Sequence, residues 1–185
     1  MKSHEAVRVV LRELAAAGLK HMVTGGLVSN HYGVARSTKD ADIVIQMEPQ
    51  AFGHFVRALP SELALEAQVT FETITGSRRH IVTIERSNFQ IELFLLGNDA
   101  HHQERFRRRV RATLAEIEHD TWIPTAEDMV IQKIRWNRDK DREDVRNIIG
   151  VQGDALDWRY IESWCDRHGS REHLEAIRKS LLPIE

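Results

Sequence analysis

The stretch VTGGLVSNHYGVARSTKDADIVI, Val23 to Ile45, follows Met22 in an apolar run that stops at Gly25-Gly26. It closes on Asp40-Ala41-Asp42 running into Ile43-Val44-Ile45. That order spells strand, glycine turn, short helix, loop, strand. Two glycines let the backbone approach a bulky anion, and a helix starting after them aims free N–H groups and its positive dipole end at a phosphate. Residues two apart on a strand share a face, so Asp40 and Asp42 project side by side. Paired carboxylates suit Mg²⁺, which takes oxygen ligands and completes its shell with water and substrate phosphates. The stretch reads as a metal-dependent site for a nucleoside triphosphate.

Outward from it, Val7, Val10, Leu11, Leu14 and Ala15 recur at helical spacing after Ser3 as cap, with Gly18 as stop. Leu19 to Thr24 is the first strand, Leu27 to Tyr32 a short helix and Asp40 to Gln46 the second strand. Pro49 opens a helix through Phe52, Phe55, Val56 and Leu59 that Pro60 ends. Val69, Phe71 and Thr73 alternate with polar neighbours in Ala67 to Thr75, and turns at Gly76-Ser77 and Ser87-Asn88 join that run to Ile81–Ile84 and Phe89–Leu96, an antiparallel meander. On its last strand Glu92 sits among apolar residues, where an acid needs a partner.

Arg105 to Arg111 holds five arginines in seven residues, either a charged solvated element or a face for an acidic acceptor such as RNA. His101-His102 beside Asp99 lacks metal-site spacing and reads as loop. Thr121-Trp122-Ile123 is a short strand, and Thr125 with Asp128 forms a capping box for a helix bearing Lys133. Further helices span Asp141 to Ile149, Asp154 to Arg167 and Arg171 to Leu181, the last capped by Ser170. Trp136, Trp158 and Trp164 are core or interface residues of these helices.

The 185 residues, 42% apolar and 29% charged, describe a folded water-soluble chain with no run long enough to span a bilayer. The interrupted N-terminus lacks a signal-peptide stretch, and a lone Cys165 excludes an internal disulfide, so a cytoplasmic location is expected. A net charge of −2 gives no global pull on nucleic acid.

A lone Gly-Gly or Asp-x-Asp is usually a turn or a strand end; the ordered set with thirteen residues between them, then an acid in a later strand, carries the chemistry. This set resembles the signature of the nucleotidyltransferase superfamily typified by DNA polymerase beta. With Arg36-Ser37-Thr38-Lys39, Glu127-Asp128, Lys133 and Lys140 to Val145, it is similar to small bacterial abortive-infection (AbiEii-type) toxin-like nucleotidyltransferases. The resemblance implies an α/β (α+β) fold, a mixed β-sheet core flanked by helices with a helical C-terminal part. We divide this as a core over 1–124 and helices over 125–185, or one domain throughout. It further implies Asp40, Asp42 and Glu92 as catalytic and metal-binding residues for Mg²⁺, with an NTP as substrate and Lys133 facing its triphosphate. Glu92 departs from the more usual aspartate by one methylene. Gly25, Gly26, Ser29, Arg36 and Thr38 are further candidates for nucleotide binding, and Asp141 and Asp144, on one helix face, for pairing with Arg36 or Lys133. Acceptors implied are tRNA or protein, with a cognate antitoxin; an antibiotic nucleotidyltransferase and a non-catalytic nucleotide binder are the alternatives. A cationic drug as acceptor predicts an acidic pocket, and RNA predicts the arginine segment beside the site.

Overall fold

The computed structural model describes residues 1–71 and 76–181. The first helix, α1 (Ser3–Ala16), buries Ala6, Val7, Val10, Leu11 and Leu14 along one stripe. Its cap is Lys2 rather than Ser3, and the Glu5 carboxylate accepts the Lys2 backbone N–H at 2.9 Å. Strand β1 (His21–Thr24) passes directly into α2 (Gly25–Tyr32), so the two glycines form the first turn of the helix instead of a separate turn before it. The expected second strand is β2 (Asp40–Ile45), followed by α3 (Pro49–Ala58) with Pro49 at its start and the Glu48 side chain accepting from the backbone N–H groups of Gln50 and Ala51.

The meander is present but shorter than its pattern. Strand β4 covers only Thr70–Phe71, at the sheet margin, where Val69 and Phe71 are exposed; Thr73 lies outside the described residues. An unforeseen short strand, β3 (Leu63–Leu65), β5 (Arg78–Ile84) and β6 (Gln90–Leu95) complete the sheet in the order β1-β2-β6-β5-β3, with β4 also on β5. All neighbours are antiparallel except β2 and β6, which run parallel with Asp42 opposite Glu92. The sheet is therefore mixed, as expected.

The arginine segment divides. Helix α4 (Ala100–Arg107) takes in His101-His102, which are helical and buried rather than loop, because the Asp99 carboxylate caps the helix through the His102 N–H. The chain then enters β7 (Val110–Leu114), which pairs with β8 (His119–Ile123) as a separate ribbon against β1.

Thr125 caps α5 (Ala126–Trp136) by accepting the Asp128 N–H at 3.3 Å. The Asp128 carboxylate also accepts from Thr125 Oγ1, but it points inward, bonded to His101 Nε2 at 3.1 Å, Tyr160 Oη at 2.9 Å and Arg108 Nε at 3.3 Å. Asn137, at φ 53°, turns the chain into α6 (Asp139–Gln152), which runs through Gly150 instead of stopping there. The last helices are α7 (Trp158–His168), ended by Gly169, and α8 (Arg171–Leu181). Ser170 stands at the cap position of α8, its carbonyl accepting the Leu174 N–H at 3.3 Å, while its hydroxyl donates to the Cys165 carbonyl at 3.4 Å. One apolar cluster runs from Ala6 of α1 through Ile43 of β2 and Ile91 of β6 to Ile134, Ile148, Trp164 and Ile177 of the later helices, crossing position 124 without a break. Among the described residues no helix is long and apolar enough to cross a membrane.

Candidate active site

Asp40 and Asp42 start β2, and both line a cleft with Gly25 and Gly26 of α2 at its rim. The glycines serve the acids as well as any ligand. A Cβ on Gly25, whose φ is +67°, would sit 1.7 Å from Asp42 Oδ2, and one on Gly26 would sit 2.7 Å from Thr38 Oγ1. Thr38 in turn donates to Asp40 Oδ1 at 2.9 Å and lies within 3.1 Å of the Asp40 carbonyl, fixing the first acid. We expect Gly25→Ala to cost about 2 kcal/mol or more from the left-handed backbone and the displaced carboxylate. Chemical denaturation should show that loss, together with a collapse of metal-stimulated nucleotide binding in titration calorimetry.

The acids repel one another. Burial first, then the charges of Asp40 and Glu92, push the Asp42 carboxyl up to about 7, against a partial offset from Lys133 and Lys140. Glu92 is opposite Asp42 on the neighbouring strand and so on the same sheet face. Its carboxyl is also raised, first by burial, and it is held by Arg79 of β5 through an Nη1–Oε2 contact of 2.6 Å. Arg79 is itself anchored to Thr70 Oγ1 at 2.8 Å. The third acid therefore supports the site from the side of Arg79 and does not line the cleft.

Five cations ring the two aspartates: Arg36, Lys39, Lys133, Arg138 and Lys140. Arg36 sits in the loop after α2, a loop pinned by Asn30, whose side chain accepts the Arg36 N–H and donates to the Arg36 carbonyl. Its guanidinium grips Asp144 of α6 in a fork, Nε–Oδ1 2.7 Å and Nη2–Oδ2 2.8 Å. Lys133 is almost fully buried, with Nζ 2.7 Å from Asp144 and 3.3 Å from Asp141. Burial alone would raise the Asp144 carboxyl, but Arg36 and Lys133 outweigh it and hold the group below the usual carboxylate range. The pairing of Asp141 and Asp144 with the cleft cations is thus as the helix spacing suggested.

Ser29 is placed differently. Its hydroxyl donates to the Gly25 carbonyl at 3.0 Å, is buried within α2 and does not line the cleft. Sequence reasoning missed Lys39, Trp136, Arg138 and Lys140 as wall residues. The last two follow the end of α5, and the left-handed Asn137 is what carries them over the cleft. A cation repeating at 133, 135, 138 and 140 was the available signal.

Among the described residues no group of three or more His, Cys, Asp and Glu side chains is gathered as a metal site. The donor set nevertheless suits Mg²⁺: two carboxylates on one strand face, whose mutual repulsion a cation would relieve, in a cleft that also holds Lys and Arg side chains. A Mg²⁺ site needs only one or two protein carboxylates when phosphates and water supply the rest.

This mixed sheet with flanking helices is the fold of nucleotidyltransferase-like proteins. The antigenic nucleotidyltransferase-like protein from Paracoccidioides brasiliensis superposes over 98% of this chain and 94% of its own, with a TM-score of 0.57 at 16% identity. ANT(2″)-Ia, solved in complex with adenylyl-2″-tobramycin, superposes over 93% and 99% with a TM-score of 0.61 at 13% identity. No protein-family profile and no curated protein sequence matches the chain.

Proposed function

We propose that the protein is a Mg²⁺-dependent nucleotidyltransferase that moves a nucleoside monophosphate from an NTP to a hydroxyl acceptor. The observation that carries this reading is that Asp40 and Asp42 line a cleft together with Arg36, Lys39, Lys133, Arg138 and Lys140, with Glu92 opposite Asp42 on the neighbouring strand. Fold likeness to ANT(2″)-Ia supports it. Asp40 and Asp42 would hold the metal, which when bound supplies charge neutralisation at the phosphates. The ring of cations and the start of α2 orient the triphosphate. The acceptor oxygen bonds to the α-phosphorus, the bond from that phosphorus to the bridging oxygen breaks, and pyrophosphate leaves. Glu92, opposite Asp42 but behind the cleft wall, would take the hydroxyl proton by way of a water, its burial making it a better base than an exposed glutamate.

The test is incubation with each α-labelled NTP and Mg²⁺ in cell extract, beside Asp40→Ala and Asp42→Ala. Label is expected in a tRNA, protein or small-molecule fraction and to be missing with both variants. Transfer by either variant at near wild-type rate would overturn the assignment of the acids. The toxin-like reading adds tRNA or protein as acceptor and a cognate antitoxin, which the labelled fractions and co-purification respectively read out.

A further inference from the structure

Trp158 and Trp164 pack into the main apolar cluster, but Trp136 belongs to neither apolar cluster of the described residues. It is only half-buried, at the end of α5, and stands on the wall of the catalytic cleft with Asp40 and Asp42. Every other lining residue is a glycine or carries a polar or charged side chain, so among the described residues the indole is the one flat apolar surface of the cleft. An indole left out of the core gains less from burial than one inside it, and the face of a ligand can supply the difference.

Its surroundings hold it in place. Arg138 lies over the ring, its guanidinium carbon 4.6 Å from the centroid. The same guanidinium donates to Asp141 through Nε at 2.6 Å and Nη2 at 3.2 Å, so its plane is oriented as well as its charge. The position also suits a nucleotide. Trp136 closes a small chamber over Val44, two residues beyond Asp42 on the same strand face, so the indole stands on the order of 7 Å along β2 from that acid. A ribose bridges a gap of that size between an α-phosphate and its base. Groups able to read the edge of a base are scarce there. The described cleft wall has no Asn, Gln or His, Thr38 Oγ1 donates to Asp40, and Arg36 and Lys133 are committed to Asp144.

We infer that the nucleobase of the NTP stacks on the Trp136–Arg138 pair, and that the protein takes purine nucleotides by the area of their rings instead of reading one base by its edge. This deepens the nucleotidyltransferase reading and rests on it. Stacking on an aromatic side chain tolerates any base, because each has a π-face, and its strength sets the preference. ATP and GTP are then alternative nucleotide donors, with UTP and CTP weaker. Trp136 binds the nucleoside and takes no part in the chemistry at phosphorus.

The test compares ligands with and without a base. Mg²⁺ complexes of ATP, GTP, UTP, CTP and inorganic tripolyphosphate are titrated by calorimetry into the wild type, Trp136→Ala and Trp136→Phe. The wild type should bind ATP and GTP within about threefold of each other, and both more tightly than UTP, CTP or tripolyphosphate. Trp136→Ala should weaken ATP and GTP by about tenfold or more, the order expected for one base stack, and leave tripolyphosphate unchanged; Trp136→Phe should recover most of the loss. On the native chain, ¹⁵N spectra follow the Trp136 indole resonance, assigned by its loss in Trp136→Phe, and ATP should move it further than tripolyphosphate does. Equal shifts, equal loss of ATP and tripolyphosphate affinity in a folded Trp136→Ala, or a preference of about a hundredfold for one base over every other would each overturn the inference. Should Trp136→Ala fail to fold, the native resonance and the base series decide alone. ATP bound no more tightly than tripolyphosphate overturns the stack and leaves label transfer standing, whereas no binding of any of the five removes the transferase reading as well.

Discussion

Asp42→Asn is expected to make the metal-free protein more stable at pH 8 while stopping transfer. The Asp42 carboxyl is raised from 3.8 to about 7 in the fold, so the native state holds its proton more tightly than the unfolded chain does. For an acid with a raised pKa, the stabilising contribution is full below the unfolded value and is lost as pH climbs through 7. Wild-type stability should therefore fall between about pH 4 and pH 8 by roughly 2–4 kcal/mol on this account. The neutral, isosteric amide should be free of that fall. Urea denaturation across this pH range checks the sign, and a wild-type curve that is flat or rises would show that Asp42 is not the strained acid described here. On the proposed function, Mg²⁺ with ATP should then raise the wild-type midpoint and leave that of the amide variant nearly unmoved. Transfer should drop by at least about a hundredfold. Gain of stability with loss of activity separates a working carboxylate from a structural one.

Asp144→Ala should act in the opposite direction on stability. Asp144 is 2% exposed and is shared by Arg36 and Lys133, so its removal leaves Lys133, itself 3% exposed, with only the 3.3 Å contact to Asp141. Breaking such a pair by deleting one partner costs about 3–5 kcal/mol, because the surviving charge stays buried. Arg36 is at the same time freed from its fork, so NTP affinity should weaken by tenfold or more even where the protein remains folded. Denaturant titration gives the first quantity and nucleotide binding at low temperature the second. Asp144→Asn, which keeps one oxygen able to accept from both Arg36 Nη2 and Lys133 but turns its NH2 toward Arg36 Nε, should lose less of both. The Asp144 contribution is present above the ordinary carboxylate pKa and disappears as pH falls through its depressed value, so the stabilities of the wild type and of Asp144→Ala should converge in acid.

The strand, glycine, helix, strand order around Asp40 and Asp42 was legible because each step has a local cause: apolar runs, Gly25 at positive φ and a period of two. The β2–β6 register was foreseen only as a need for a partner to Glu92; the partner found is Arg79, which no local pattern links to position 92. Strands β3 and β7 escaped because they are short and bear few buried side chains, their stability lying in pairing with β5 and β8. The arginine-rich segment could not be read from composition, since one of its five guanidiniums is buried and the rest are spread over a helix end and a ribbon. The roles of Trp136, Arg138 and Lys140 depend on the left-handed Asn137, a conformation that neighbouring helix signals conceal.

The Asp144 clasp has a consequence for modularity. It joins the loop that follows α2 to a helix more than a hundred positions later, so part of the positive charge of the cleft is aligned by a segment remote from the acids. A chimera that exchanged the carboxy-terminal helices for those of another protein would inherit Asp40 and Asp42 intact, yet it would leave Arg36 without its guide and lack Lys133 altogether. Any graft onto this scaffold must carry both ends of the clasp.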